Sequence, residues 1–234
     1  MKSIIPRLLL ALFAANLAVA GLAEDRQAAQ KLMRDGNFRE ALAAYARLTA
    51  QKRGDDPQHV GADLRDGARC LQRLNQLKEF DTFVENAVKA NRGNWQLLEA
   101  AAQLYRGGAH YGFIVGGEFE RGQHRGQGQY ANVVERDRVR ALQLMRDAEK
   151  LIREETDRSA VAEFYLRYAQ LYVRQGNQSW RMQTLTDLDE LPEAQAGYYH
   201  DGGARSGAPV DADGKPVFYR VPDSLEKAAN DGER

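Results

Sequence analysis

The side chains with the clearest capacity for chemistry sit in one glycine-dense stretch, where His110, Glu118, Glu120 and His124 fall within fifteen positions. Imidazoles and carboxylates in such a group could hold a divalent cation. Their spacing matches no established ligand pattern, such as two histidines one helical turn apart. A solvated loop is the expectation. Asp211-x-Asp213-Gly214 has the form of the start of a calcium loop. Val217 then stands at the seventh position and Pro222 at the twelfth, where a bidentate glutamate is needed. A tight turn is expected instead. Ser159, Ser179, Ser206 and Ser224 lack the Gly-x-Ser-x-Gly setting of a nucleophile elbow. Gly112 to Gly117 is followed by no Lys-Ser/Thr and opens no helix, so it is no phosphate loop. Cys70 is the only cysteine and lies between Ala68 and Leu71 in an apolar helical stripe, the setting of a small core residue. These residues give no catalytic, cofactor-binding or metal site, and no cofactor is expected.

The elements around them are helical. Residues 24–34 carry Ala28, Ala29, Leu32 and Met33 on one face, and Asp35-Gly36-Asn37 is a turn in which Gly36 can take the left-handed conformation. A second helix from Phe38 to Lys52 places Phe38, Ala41, Leu42, Tyr45 and Leu48 at spacings of three and four. Small Ala29 and Ala41 allow the helices to approach closely, and the set resembles a tetratricopeptide-type helix pair. A weaker copy follows 39 residues later, in Ala68, Leu71, Asn75, Leu77, Phe80 and Val84. A helix from Trp95 to Arg106 comes next. Gly107 to Gln129 then holds eight glycines, and each would cost about 1 kcal/mol in a helix relative to alanine. A loop with a short hairpin is expected there, with helix resuming from Ala131 to Glu155.

Ser159 to Arg174 reads as an aromatic helix bearing Phe164, Tyr165, Tyr168 and Tyr172, a stripe more often core than ligand platform. Ala169, Tyr172 and Gly176 repeat the small–large–Gly pattern of the first hairpin. A shorter helix is expected over Trp180–Leu188. Arg136, Asp137, Arg138 and Arg140 form a charge-dense helix start, ordinarily a solvated face with local ion pairs. From Gln195 on, six glycines and three prolines accompany no sustained apolar stripe. Residues 193–234 therefore read as a linker or latch, with a hairpin at Pro209–Tyr219 and a short helix capped by Ser224, clipped by protease to leave a core ending near Leu191. The predicted fold is all-α, with tetratricopeptide-like antiparallel helix pairs over 24–192, a glycine-rich loop insertion at 107–130 and an irregular C-terminal extension.

Charge and targeting narrow the function. The 234 residues hold 33 basic and 33 acidic side chains. That balance attracts no polyanion over long range, so nucleic acid is not an expected partner. Lys2 and Arg7 precede an apolar run from Leu8 to Val19, and Ala18-Val19-Ala20 offers small residues for cleavage. Residues 1–20 therefore read as a signal peptide removed on export, and no stable membrane anchor is expected. The run of about twelve residues is too short to cross a bilayer core of about 30 Å as a helix. The protein is expected to be periplasmic or secreted.

Two stretches carry a family likeness. One is Tyr130-Ala131-Asn132-Val133-Val134-Glu135-Arg136-Asp137-Arg138-Val139-Arg140-Ala141-Leu142-Gln143-Leu144-Met145. The other runs from Trp180-Arg181-Met182-Gln183 through Leu185-Thr186-Asp187-Leu188 to Gly207-Ala208-Pro209-Val210-Asp211 and Tyr219-Arg220-Val221-Pro222. Together they resemble the N-terminal helical region of large bacterial alpha-2-macroglobulin-like proteins, over most of residues 24–234. The resemblance implies a scaffold within a periplasmic protease-trapping protein, whose partner is another protein or downstream domains of a longer polypeptide. The family's thioester motif, Cys-Gly-Glu-Gln, is absent, since Leu71-Gln72 follows Cys70. The expected function is thus a non-enzymatic protein-interaction module. The alternative is a cell-envelope hydrolase with its site in the 107–130 loop. Buried polar groups converging on that loop would favour the hydrolase, and a smooth concave helical face the module.

Overall fold

The first hairpin closes as its glycine requires. Residues 21–34 are helical (α1), Gly36 has φ +82°, and α2 covers Phe38–Ala50. The Gly36 amide donates to the Met33 carbonyl at 3.3 Å and the Asn37 amide to that of Leu32 at 2.9 Å, which satisfies the last carbonyls of α1. These distances come from a computed structural model that describes residues 21–50, 57–173, 181–199, 210–216 and 218–234. The expected signal segment at 1–20 lies outside the described residues, as do Gly176 and Trp180.

The same closure recurs 39 positions on. The Asn75 amide donates to Gln72 at 3.1 Å and the Gln76 amide to Leu71 at 2.9 Å. Asn75 stands where Gly36 stood and has φ +53°, a conformation asparagine tolerates better than other side chains. This turn joins α3 (Pro57–Arg73) to a 3-10 turn at Leu77–Glu79 and then α4 (Phe80–Ala90). Phe80, which replaces the small Ala41 in this register, is buried.

Contacts divide the chain into two compact units whose boundary falls between Leu104 and Tyr105, within α5 (Trp95–Gly107). In the first unit, Ala29, Ala41, Tyr45, Leu48 and Cys70 form one buried cluster with Leu22 and Ala44. Burying a large apolar side chain contributes about 1.5–3 kcal/mol. Two glycines set the helix spacing. A Cβ on Gly67 would meet the Phe83 ring at 2.3 Å, and one on Gly61 would meet the Gln96 carbonyl oxygen at 3.1 Å. Arg26 of α1 holds Asp63 of α3 through bonds from Nε at 2.8 Å and Nη2 at 2.8 Å. Asn91 donates to the Thr49 and Ala87 carbonyls at 2.7 and 3.0 Å, closing the ends of α2 and α4.

The second unit corrects the all-α expectation. The described residues are 58% helix, but the glycine-rich segment, expected as a loop with a short hairpin, supplies three strands of an antiparallel sheet. These are β1 (Tyr111–Val115), β2 (Glu118–Arg121) and β3 (Gln129–Asn132), joined by β4 (Gln195–Ala196) in the antiparallel order β2-β1-β3-β4. Gly116 and Gly117 have φ +61° and +90°, which a two-residue turn between Val115 and Glu118 demands. A Cβ on Gly112 would lie 2.1 Å from the Glu120 carbonyl oxygen, so only glycine fits β1 at that point. The residues that exclude helix are the ones that permit this sheet.

Ala131 therefore belongs to β3, and helix resumes only at α6 (Val134–Ile152). Next is α7 (Arg158–Tyr172), capped by Asp157, whose carboxylate accepts from the Ser159 and Ala160 amides. The helix expected over 180–188 is a single 3-10 turn at 181–183. The last residues of the extension are tied back to residues 182–184. Ala228 and Asp231 are buried, the Asp231 amide donates to Thr184 at 2.9 Å, and the Gly232 amide donates to Met182 at 2.8 Å. Ser224 precedes a 3-10 turn at Leu225–Lys227 without capping it through its side chain. The Asp-Gly turn forms as read: Asp211 Oδ1 accepts from the Asp213 and Lys215 amides at 2.9 Å each, and Val210 bridges to Pro216.

Candidate functional site

Three polar side chains from separate elements meet at the sheet. The β1–β2 register sets Arg121 opposite Gly112 at the end of β2, Asp137 projects from the first turn of α6, and His110 precedes β1. Arg121 and Asp137 have fully buried side chains. Arg121 Nη1 donates to Asp137 Oδ2 at 2.6 Å and Nη2 to Oδ1 at 2.8 Å, a two-pronged pair that fixes both planes. Nη1 also donates to the Ala109 carbonyl at 2.6 Å. His110 Nδ1 lies 2.8 Å from Asp137 Oδ2, and its Nε2 lies 3.1 Å from the Arg106 carbonyl. Both of these partners are acceptors, so the ring satisfies both only by donating from both nitrogens.

Burial by itself pushes the Asp137 carboxyl up. The hydrogen bonds and charges of Arg121 and His110 outweigh it and hold the group below the usual aspartate range. A carboxylate behind a histidine is also the orienting device of hydrolytic enzymes. Here the outer ring nitrogen faces a backbone carbonyl. Among the described residues no serine, threonine or cysteine hydrogen-bonds His110. The arrangement braces the end of α5, the edge of the sheet and the start of α6 at one point.

The four residues weighed as metal ligands are divided. His110 goes to Asp137, His124 Nδ1 pairs with Glu120 Oε2 at 3.1 Å, and Glu118 is exposed beside the glycine turn. Among the described residues no three or more His, Cys, Asp or Glu side chains are placed to hold a metal ion. His124 lies against Phe113 at 6.0 Å between ring centroids, and Phe113 meets the edge of Tyr130 at 5.7 Å. Tyr198 stacks on Tyr130 at 4.3 Å. Ser159 sits in the first turn of α7, and Ser179 and Ser206 lie outside the described residues. Cys70 is buried, and burial pushes its thiol above the usual range.

The charge-dense run at the start of α6 is only partly a solvated face. Asp137 is the buried partner just described, and Arg138 Nη2 reaches buried Asp231 at 2.8 Å. Asp231 also accepts from the Thr186 amide at 2.9 Å and from the Thr186 hydroxyl. Arg234 donates to the Thr186 carbonyl at 2.7 Å. The sequence reading missed Arg121, Asp137 and Asp231 as partners. Its available signal was an arginine at an alternating strand position just before glycine, followed by an aspartate in the first turn of the next helix.

The aromatic stripe of α7 serves two purposes. Phe164, Tyr168 and Tyr172 are buried and Tyr165 is exposed. The three tyrosines line one wall of a cleft of about 430 Å³, and residues 221–226 form the opposite side. The Tyr165 hydroxyl donates to Glu149 Oε1 at 3.4 Å, and Arg153 Nη2 donates to the same oxygen at 2.8 Å. Burial is the main cause of the raised hydroxyl pKa of both Tyr168 and Tyr172, which keeps them as neutral donors. Among the described residues no helix is long and apolar enough to cross a membrane. Against known proteins, no family model, no curated protein and no solved structure matches this chain.

Proposed function

We propose that this chain is an exported, non-enzymatic protein-interaction module whose second unit carries the docking surface. The observation that carries this reading is the distribution of exposed apolar side chains. Among the described residues, all nine exposed large hydrophobic residues fall between Tyr165 and Val221, and none falls in the first unit. Tyr165, Leu166 and Val173 belong to one stretch of α7 and its C-cap, a helix with apolar residues on its outer as well as its inner face. Such a face is usually covered by a partner. The repeated turn closures at Gly36 and Asn75, with buried Ala29 and Ala41, support the tetratricopeptide-like reading of the first unit, a scaffold type built for binding. The likeness of residues 130–145 and 180–222 to alpha-2-macroglobulin-like proteins points to periplasmic protease trapping as the setting.

Cross-linking in the periplasm followed by peptide mapping tests the proposal. Cross-links concentrated on α7 and residues 218–221, and lost in a Leu166→Ser/Phe218→Ser variant, are expected. Cross-links spread evenly over both units would refute it. Intact-mass analysis of the exported protein checks removal of residues 1–20.

One observation favours the second reading, a cell-envelope hydrolase. Polar groups do converge on the 107–130 segment, in buried Arg121 and Asp137 and half-buried His110. The engagement of both ring nitrogens of His110 weighs against it. Release of soluble fragments from purified cell wall by the wild type, but not by His110→Ala, would establish the hydrolase.

A further inference from the structure

We infer that the tyrosine cleft of the second unit receives a cationic side chain, arginine or lysine, presented by a partner protein between apolar neighbours. The inference rests on the interaction-module reading and names what that module recognises. At about 430 Å³ the cleft is at the small end of ligand sites, and it opens to solvent. It suits one side chain with its flanks better than an enclosed metabolite.

The walls favour a cation. Tyr165, Tyr168 and Tyr172 follow one another along α7, and aromatic faces attract ammonium and guanidinium groups. Four carboxylates line the cleft, those of Glu149, Asp223, Glu226 and Glu233; Glu149 is paired with Arg153 and Asp223 with Lys227, so the negative charge offered to a cation rests on Glu226 and Glu233. The chain itself shows the fit: the Arg234 guanidinium lies over the Tyr172 ring, 6.0 Å from its centroid. Arg234 also donates to the Thr186 carbonyl, which holds it at Tyr172, while Tyr165 is the exposed tyrosine of the three. Exposed Val221 also lines the cleft, so a partner's apolar residue beside the cation has a surface to meet.

Isothermal titration of the whole exported protein tests this with three probes: acetyl-Leu-Arg-Leu-amide, its Glu counterpart, and spermidine. The arginine peptide is expected to bind at least about tenfold more tightly than the glutamate peptide. Tyr165→Ala and Glu226→Gln should each weaken it about fivefold, and both positions are exposed enough for the variants to fold. Arg234→Ala should tighten it severalfold by removing the internal competitor, a change of sign that general damage to the fold would not produce. Equal binding of the two peptides, or arginine-peptide affinity unchanged in Tyr165→Ala, would overturn the inference. Spermidine binding without peptide binding would overturn the partner-protein source. If cross-links map to the second unit while the arginine peptide fails, the cleft inference falls and the module reading stands. If the peptide binds and the cross-links are absent, the reverse holds.

Discussion

The two units are stabilised in different ways. The first buries alanines and large apolar side chains between helices and repeats one turn geometry 39 residues apart. Its described surface shows no exposed large hydrophobic residue. The second closes a small sheet on glycines, ties it to α6 through the buried Arg121–Asp137 pair, and leaves nine large apolar side chains in water. Packing of apolar faces tolerates gradual change, whereas a buried ion pair fails abruptly when one partner is lost. The contrast separates a unit whose described large apolar side chains are covered from one that leaves several exposed.

The largest expected effect tests the ion pair. Arg121→Met leaves Asp137 buried without its fork and should cost about 3–5 kcal/mol. Urea denaturation followed by near-ultraviolet dichroism would report it. Arg121→Met/Asp137→Leu should recover most of that loss, because apolar groups of similar volume remove the desolvation penalty. If the double variant is no better than the single, the pair is not the brace described.

Asp231 tests whether the extension belongs to the second unit. Its carboxylate takes donors from Arg138 and Thr186 in a buried position, so Asp231→Ala should cost about 1.5–3 kcal/mol and expose residues 218–234 to protease. Equal digestion of wild type and variant would mean that the segment contributes little. For the first unit, Ala41→Phe should overpack the contact with Ala29 and cost about 1–3 kcal/mol. An unchanged midpoint would break the close-approach account.

Acid should separate the units further. The Asp137 carboxyl is lowered in the folded state, so the unfolded chain takes up its proton first as pH falls. The stabilisation is complete above the ordinary aspartate value of about 4 and is lost as pH falls from there through the lowered folded value. Stability of wild type and of Arg121→Met/Asp137→Leu, measured between pH 6 and pH 2, should converge at the acid end. Parallel curves would show that Asp137 is not the titrating group. The smallest stability effect belongs to Leu166→Ser, a surface change expected to fall within about 0.5 kcal/mol while removing partner cross-links.

The helices were legible because their apolar residues repeat every three or four positions, and Gly36 and Asn75 mark turns that depend on nearest neighbours alone. The candidate site was far less so. Tyr165, Tyr168 and Tyr172 were visible as a stripe, yet their opposite wall comes from residues about fifty positions away. Asp137 read as one charge among several on a solvated face, because nothing local distinguishes a paired buried carboxylate from a hydrated one.

Local sequence therefore determined most of the helix-forming stretches, the left-handed turns and the exclusion of helix from 108–129, since each follows from backbone sterics and periodicity over a few residues. It did not determine that a third strand would pair with the expected hairpin, that Gln195 and Ala196 would join it, or that Asp231 would be drawn inward. Strand pairing and charge burial depend on partners tens of residues apart. The free energy of Arg121 with Asp137, or of Arg138 with Asp231, exists only after the chain has brought them together and removed the water between them.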